Sequence, residues 1–219
     1  MIDFLVSNLL WTQGFSVLIA ILALAIIGWL FFRPILYLSL GFFLFSFYFF
    51  RNPERSCSGP LCASQSTLVC PADGKIVGIA RNKNNGFDGY SQRVSIFLSP
   101  LDVHVQWTPM AGVVERIIYK PGEFAMAFLP KSSELNERND LVLRNDQDRT
   151  ILVRQIAGTI ARRIVCWVKQ GQNITRGEKY GMIRFGSRVD ILLPDDVHLE
   201  VGIDQKVYGG QTVLGYWKK

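Results

Sequence analysis

The chain has 219 residues and a formal net charge of +6, from 24 Lys and Arg against 18 Asp and Glu. That length holds one globular domain plus an appendage. Asp3 and Arg33 are the only formally charged side chains among the first fifty residues, so the positive excess lies wholly beyond them; lacking a dense Lys/Arg run, it argues for an anionic bilayer surface as partner and against nucleic acid.

Residues 15–32, FSVLIAILALAIIGWLFF, carry no charge and are long enough to cross a hydrocarbon core of roughly 30 Å as a helix. Arg33-Pro34 comes next, and proline disfavours helix at the residue before it, so the chain is expected to turn there. Residues 35–50 form a second uncharged run, which spans only with local thinning or lies partly in the interface. No basic stretch precedes the first run and no small-residue cleavage site succeeds it, which disfavours a signal peptide. Residues 1–55 are therefore expected to be a hydrophobic membrane-anchoring leader, a helical hairpin. Arg51 and Arg55 at its end favour the cytoplasmic face of the cell membrane for residues 56–219.

Residues 56–219 read as a mainly β domain, compact and barrel-sandwich-like. Short runs rich in Val and Ile recur at Ser66–Cys70, Lys75–Ala80, Arg93–Leu98, Val113–Tyr119, Leu141–Leu143, Thr150–Gln155, Ile164–Val168, Arg188–Leu193, His198–Val201 and Thr212–Tyr216. Gly and Pro punctuate them at Pro71-Ala72-Asp73-Gly74, Lys120-Pro121-Gly122 and Gly209-Gly210. A short helix fits Ile156–Arg163, and Phe124–Asn139 reads as a long loop of the kind that often carries function. Cys57, Cys62, Cys70 and Cys166 lack zinc-ligand spacing, so no metal is expected; unpaired thiols are preferred over a Cys57–Cys62 bridge. His198, in a strand-like stretch away from any motif, reads as structural.

Four segments carry chemistry. Arg51-Asn52-Pro53 closes the leader, and Cys70-Pro71-Ala72-Asp73-Gly74-Lys75 opens the domain. Leu98-Ser99-Pro100-Leu101-Asp102-Val103-His104-Val105 is the third, with Pro109 and Gly112 after it. Phe185-Gly186-Ser187-Arg188-Val189-Asp190 comes near the end. In this order and spacing the chain resembles the phosphatidylserine decarboxylases, specifically their short form, from about Phe49 onward.

The resemblance implies autocatalytic cleavage between Gly186 and Ser187. The chain would divide into residues 1–186 and residues 187–219, a β and an α chain from one precursor. The residue types suit that chemistry. A serine hydroxyl can attack the preceding carbonyl to give an ester, and glycine leaves that carbonyl unshielded. β-Elimination and then hydrolysis would release ammonia and leave Ser187 as a covalent pyruvoyl group. The resemblance also implies decarboxylation of phosphatidylserine to phosphatidylethanolamine, with the pyruvoyl carbonyl as electron sink and neither metal nor pyridoxal phosphate. Asp73 would serve processing, and His104 would move protons near neutral pH. Longer relatives carry a second histidine three residues after the first; this chain has Trp107 there, so either His104 serves both processing and turnover, or Asp73 acts through water. Lys131, Arg138 and Arg184 are the cations proposed for the substrate's phosphate and carboxylate. A homo-oligomer is compatible with these features.

Two other classes compete. A membrane-anchored β-sandwich without catalysis would account for the leader and the strands, since fold does not fix function. A serine hydrolase would use Ser187 as a plain nucleophile, but Phe185-Gly186-Ser187-Arg188-Val189 is not a G-x-S-x-G elbow.

Overall fold

The computed structural model describes residues 11–82, 86–122, 136–158, 164–183 and 187–218. The chain divides into two compact units, Met1–Glu54 and Arg55–Lys219.

In the first unit, helix α1 (Trp11–Phe31) and helix α2 (Arg33–Phe49) are joined through Phe32, whose backbone is extended at φ −156°. Pro34 sits in the first turn of α2, where a missing N–H leaves no helical hydrogen bond unmade. Gly28 lets the two helices close on each other. A Cβ at that position would stand 2.4 Å from the Leu36 backbone nitrogen. Apolar side chains face outward along both helices, with Leu22, Trp29, Leu30, Phe31, Leu38 and Leu44 all exposed. Counting only the described residues, no helix is long and apolar enough to cross a membrane.

The second unit is mainly β, with one short helix, α3 (Pro60–Ala63), before the first strand. The described strands are β1 (Thr67–Val69), β2 (Gly74–Arg81), β3 (Gln92–Leu98), β4 (Val105–Trp107), β5 (Gly112–Lys120), β6 (Arg138–Arg144) and β7 (Thr150–Ile156). They continue with β8 (Ile164–Cys166), β9 (Asn173–Ile174), β10 (Lys179–Ile183), β11 (Ser187–Leu193), β12 (Val197–Leu199), β13 (Lys206–Val207) and β14 (Val213–Trp217). Eight of them form one sheet in the order β13-β2-β3-β11-β7-β6-β5-β9; β1-β14-β12 and β4-β10-β8 form two smaller sheets. Every strand pair is antiparallel.

One core joins the three sheets. Leu68 and Trp217 come from the first small sheet, Tyr180 and Ile183 from the second, and Ile96, Leu141, Val153 and Ile191 from the large one. Strand β11 shows why the register is firm. Val189, Ile191 and Leu193 alternate into this core, while Arg188 and Asp190 face the other way. There the Arg188 guanidinium donates to Asp190 at 2.6 and 2.9 Å and to Ser95 Oγ at 2.9 Å. A slip of one residue would put those buried charges among Val94 and Ile96.

Gly74 starts β2 at φ +151°, where a Cβ would lie 2.2 Å from the Phe97 carbonyl oxygen, so this entry to the sheet requires glycine.

Three expectations are corrected. Ile156 closes strand β7 rather than opening a helix, and residues 159–163 lie outside the described residues. Arg138 and Asn139 belong to β6 rather than to a loop; the preceding part of that loop, 123–135, is not described. Cys57 and Cys62 are joined in a disulfide, their Cα atoms 5.7 Å apart, whereas Cys70 and Cys166 are not bridged. Gly59, at φ +105°, turns the intervening chain into α3 and brings the two cysteines into bonding range.

Candidate active site

Ser187 is the first residue of β11, paired with Leu98 at the end of β3. Strand alternation puts its side chain on the face shared by Val189 and Ile191. The side chain is fully buried, and its Oγ has no hydrogen-bond partner among the described residues. An unsatisfied buried hydroxyl costs about 1–3 kcal/mol.

The three residues before it, 184–186, are not described, so Gly186 and Arg184 lie outside the described residues, as does Lys131. Both flanks of that junction are placed. On one side β10 ends at Ile183, whose N–H donates to the His104 carbonyl at 3.3 Å. On the other, Ser187 is set against Leu98. The turn after Leu98 is closed by two bonds: Asp102 N–H to Ser99 carbonyl, and Ser99 N–H to Asp102 Oδ2, each 2.9 Å. His104 comes directly after that turn and is fully buried. The structure thus brings His104 to the junction that Ser187 closes.

The imidazole Nδ1 is 2.9 Å from the Asp102 carbonyl oxygen. A carbonyl only accepts, so Nδ1 carries the proton in the neutral ring and the basic lone pair is on Nε2. A buried amide chain starts at the His104 carbonyl. Gln106 Nε2 donates to the His104 carbonyl at 2.7 Å, Gln155 Nε2 to Gln106 Oε1 at 2.9 Å, and Asn139 Nδ2 to Gln155 Oε1 at 2.9 Å. Sequence reasoning missed these three amides. Their signal was a polar residue on the core-facing side of strands otherwise filled by Leu141, Leu143, Ile151 and Val153.

Asp73 lies beside this group rather than against Ser187. The start of β2 and the start of β11 flank β3 from opposite sides, two strand spacings or roughly 10 Å apart. Asp73 succeeds Ala72, which bridges Gln106 two residues after His104. The buried carboxylate is held by both ends of the Arg55 guanidinium, with Nη2 to Oδ2 at 2.9 Å, and by the Gly209 N–H at 2.9 Å. Arg55 in turn lies over the Trp107 ring, 4.8 Å from its centroid. Next to Asp73, the Cys70 thiol is pushed far up by burial and then by the Asp73 charge, so it is an inert thiol rather than a nucleophile.

Arg138 is not brought to the site. It shares a cross-strand row with Ile156 and Arg188 and so faces away from Ser187. His198 is half-exposed against Tyr216, 5.0 Å between ring centroids.

A sequence model of the family described as phosphatidylserine decarboxylase matches residues 42–215. The chain belongs to the phosphatidylserine decarboxylase family. Among its relatives, the phosphatidylserine decarboxylase proenzyme of Salinibacter ruber is 43% identical over 194 residues, 88% of this chain and 85% of the relative. The proenzyme of Desulfotalea psychrophila is 44% identical over 172 residues, 78% of each chain. That of Syntrophotalea carbinolica is 42% identical over 198 residues, 90% of this chain and 89% of the relative.

The turn that delivers His104 is tied down by Asp102, which also pairs with Lys206. Burial alone would raise the Asp102 carboxyl, but the Lys206 ammonium and the Ser99 amide outweigh it and hold the carboxyl below its usual range. A depressed folded-state value stabilises the fold above the unfolded carboxyl's titration, near pH 4, and the gain is lost as pH falls through the folded value. Lys206→Met should therefore unfold at a lower temperature than wild type by a constant margin between about pH 5 and 7, and the margin should close below about pH 4. Thermal melts across that range measure it.

Proposed function

We propose that this chain is a proenzyme that cuts itself between Gly186 and Ser187 and then decarboxylates phosphatidylserine to phosphatidylethanolamine. The observation that carries the reading is the fully buried Ser187 hydroxyl, unpartnered among the described residues, at a junction whose other flank is hydrogen-bonded to His104. The family match supplies the reaction class. Together they favour catalysis over a non-catalytic β module.

In the processing step Ser187 Oγ forms a bond to the Gly186 carbonyl carbon as the amide C–N bond breaks. The hydroxyl proton leaves to a base, and the product is an ester. Elimination across the Ser187 Cα–Cβ bond expels the Gly186 carboxylate and opens the chain; water then hydrolyses the resulting dehydroalanine, releasing ammonia and leaving residues 187–219 headed by a pyruvoyl group. That group supplies a carbonyl able to take up the electron pair left when carbon dioxide departs. Ser187 fits it: the position is buried, and β11 is clamped between β3 and β7, so the reactive carbon would be held still. His104 acts as the proton carrier through Nε2, its ring orientation set by the Asp102 carbonyl and its backbone by Gln106.

Lys131 and Arg184 remain the cations proposed for the headgroup, with Arg138 the weaker choice because of its face. The helical hairpin is proposed to bed in the bilayer. Helix α1 is about 31 Å long at 1.5 Å per residue, and large apolar side chains cover its outside. The catalytic unit is proposed to face the cytoplasm because Arg51 and Arg55 stand at the end of the hairpin. The Cys57–Cys62 disulfide pulls the other way, being typical of oxidising compartments.

Intact-mass analysis of the wild-type protein should show two polypeptides, residues 1–186 and residues 187–219, the second with a pyruvoyl terminus. Ser187→Ala should remain a single chain without decarboxylase activity; activity in that variant would sink the assignment. His104→Ala should lose roughly 10²–10⁴-fold in turnover, the usual weight of a general acid–base group. In sealed vesicles of known orientation, protease should digest residues 55–219 only where the cytoplasmic face points outward; digestion in the opposite orientation would reverse the proposed side.

A further inference from the structure

We infer that Arg55 is the positioning residue that holds Asp73 ready for self-cleavage. The inference rests on the self-cleaving reading of Ser187. It starts from a chemical gap. Trp107 stands three residues after His104, and an indole N–H only donates, so it cannot take a proton from a serine or pass one to a carboxylate. Among the described residues, Trp107 Nε1 has no hydrogen-bond partner.

The gap is filled from another part of the chain. Arg55 places its guanidinium between Asp73 and Trp107, stacked 4.8 Å from the indole centroid and 6.0 Å from the Tyr208 ring. It grips both oxygens of Asp73, and its Nη1 also donates to the Gly209 carbonyl at 3.2 Å. Gly209 N–H donates at 2.9 Å to Asp73 Oδ1, the oxygen that Arg55 Nη1 also holds. The pocket wall admits no side chain here. A Cβ on Gly209 would lie 2.4 Å from Trp107 Cε3, and one on Gly210 3.0 Å from Cδ1. Both partners are buried, Arg55 at 11% and Asp73 at 4% side-chain exposure, so neither charge is compensated by solvent.

The count of lone pairs turns this packing into a role. An ionised carboxylate offers about four acceptor sites. Arg55 takes two and Gly209 a third, which leaves one. The two donors therefore fix the direction of the remaining lone pair, on Oδ2, in a carboxylate whose chain neighbour Ala72 bridges Gln106, two residues after His104. Lysine would supply charge without the planar two-point grip.

The test tracks conversion of precursor to two chains by time-resolved intact mass. Arg55→Ala should keep a native near-UV circular dichroism spectrum and cleave at least about tenfold more slowly, as expected for loss of a charge-assisted pair. Millimolar guanidinium chloride should restore cleavage, and equal sodium chloride should not. Arg55→Lys should fold and still cleave more slowly than wild type. Wild-type cleavage rates in Arg55→Ala, or slow cleavage in a natively folded variant that guanidinium leaves unchanged, would overturn the role. Should Arg55→Ala fail to fold, Arg55→Lys decides: a wild-type rate refutes the inference, and a slowed rate in a native fold supports it. A wild-type chain that never cleaves would instead refute the self-cleaving reading itself.

Discussion

The site depends on the two-sided clamping of β11. Its partners β3 and β7 pair with it along nearly its whole length, and its core face is filled by Val189, Ile191 and Leu193. Register in an antiparallel sheet admits no half measures, because a one-residue slip exchanges the two faces. Ser187 is therefore held at a fixed height beside Leu98, and everything else is arranged around that height. The Ser99–Asp102 turn is set by the end of β3, and His104 is set by the turn. The strand that enters the junction, β10, is tied to the backbone of the same histidine.

Around that fixed point the chain tolerates buried polarity that a plain core would exclude. Gln106, Gln155 and Asn139 satisfy one another inside the sheets, and Arg55 with Asp73 neutralise each other beside Trp107. Such networks are costly when incomplete and rigid when complete. Among the described residues the Ser187 hydroxyl stands outside them. Its isolation is physically consistent with a group kept for reaction rather than for stability.

Much of this is legible in the residues. Ten of the strands are visible as Val/Ile runs bounded by turn residues, since strands buried on one or both faces collect β-branched side chains. Proline chemistry points to a break at Arg33-Pro34; the chain breaks one residue earlier, at Phe32, and Pro34 opens the first turn of α2 instead. Ser187 and His104 are readable because their motifs stand in order with the others. Strands β4, β9, β10 and β13 are not: β9 and β13 have only two residues each, β4 sets Gln106 between Val105 and Trp107, and Gly181 interrupts β10 where the Val165 carbonyl passes 2.4 Å from a Cβ that is not there. In sequence Arg55 is only a charge flanking the leader. Its partner lies 18 residues on, and nothing local betrays a pairing made by tertiary folding. The Cys57–Cys62 bridge escapes for a related reason: spacing says little about a loop whose geometry is set by one positive-φ glycine.

The placement of β11 carries a last consequence for the molecule's history. Residues 187–219 supply the middle of the large sheet, a strand at its edge, and two of the three strands of a small sheet. A nick before Ser187 would leave two chains woven together, unable to part without tearing out the centre of the fold. The order of events is then irreversible in practice. The precursor must finish folding as one piece, and once nicked and unfolded, its halves would have to find each other by diffusion, so that recovery would fall with dilution.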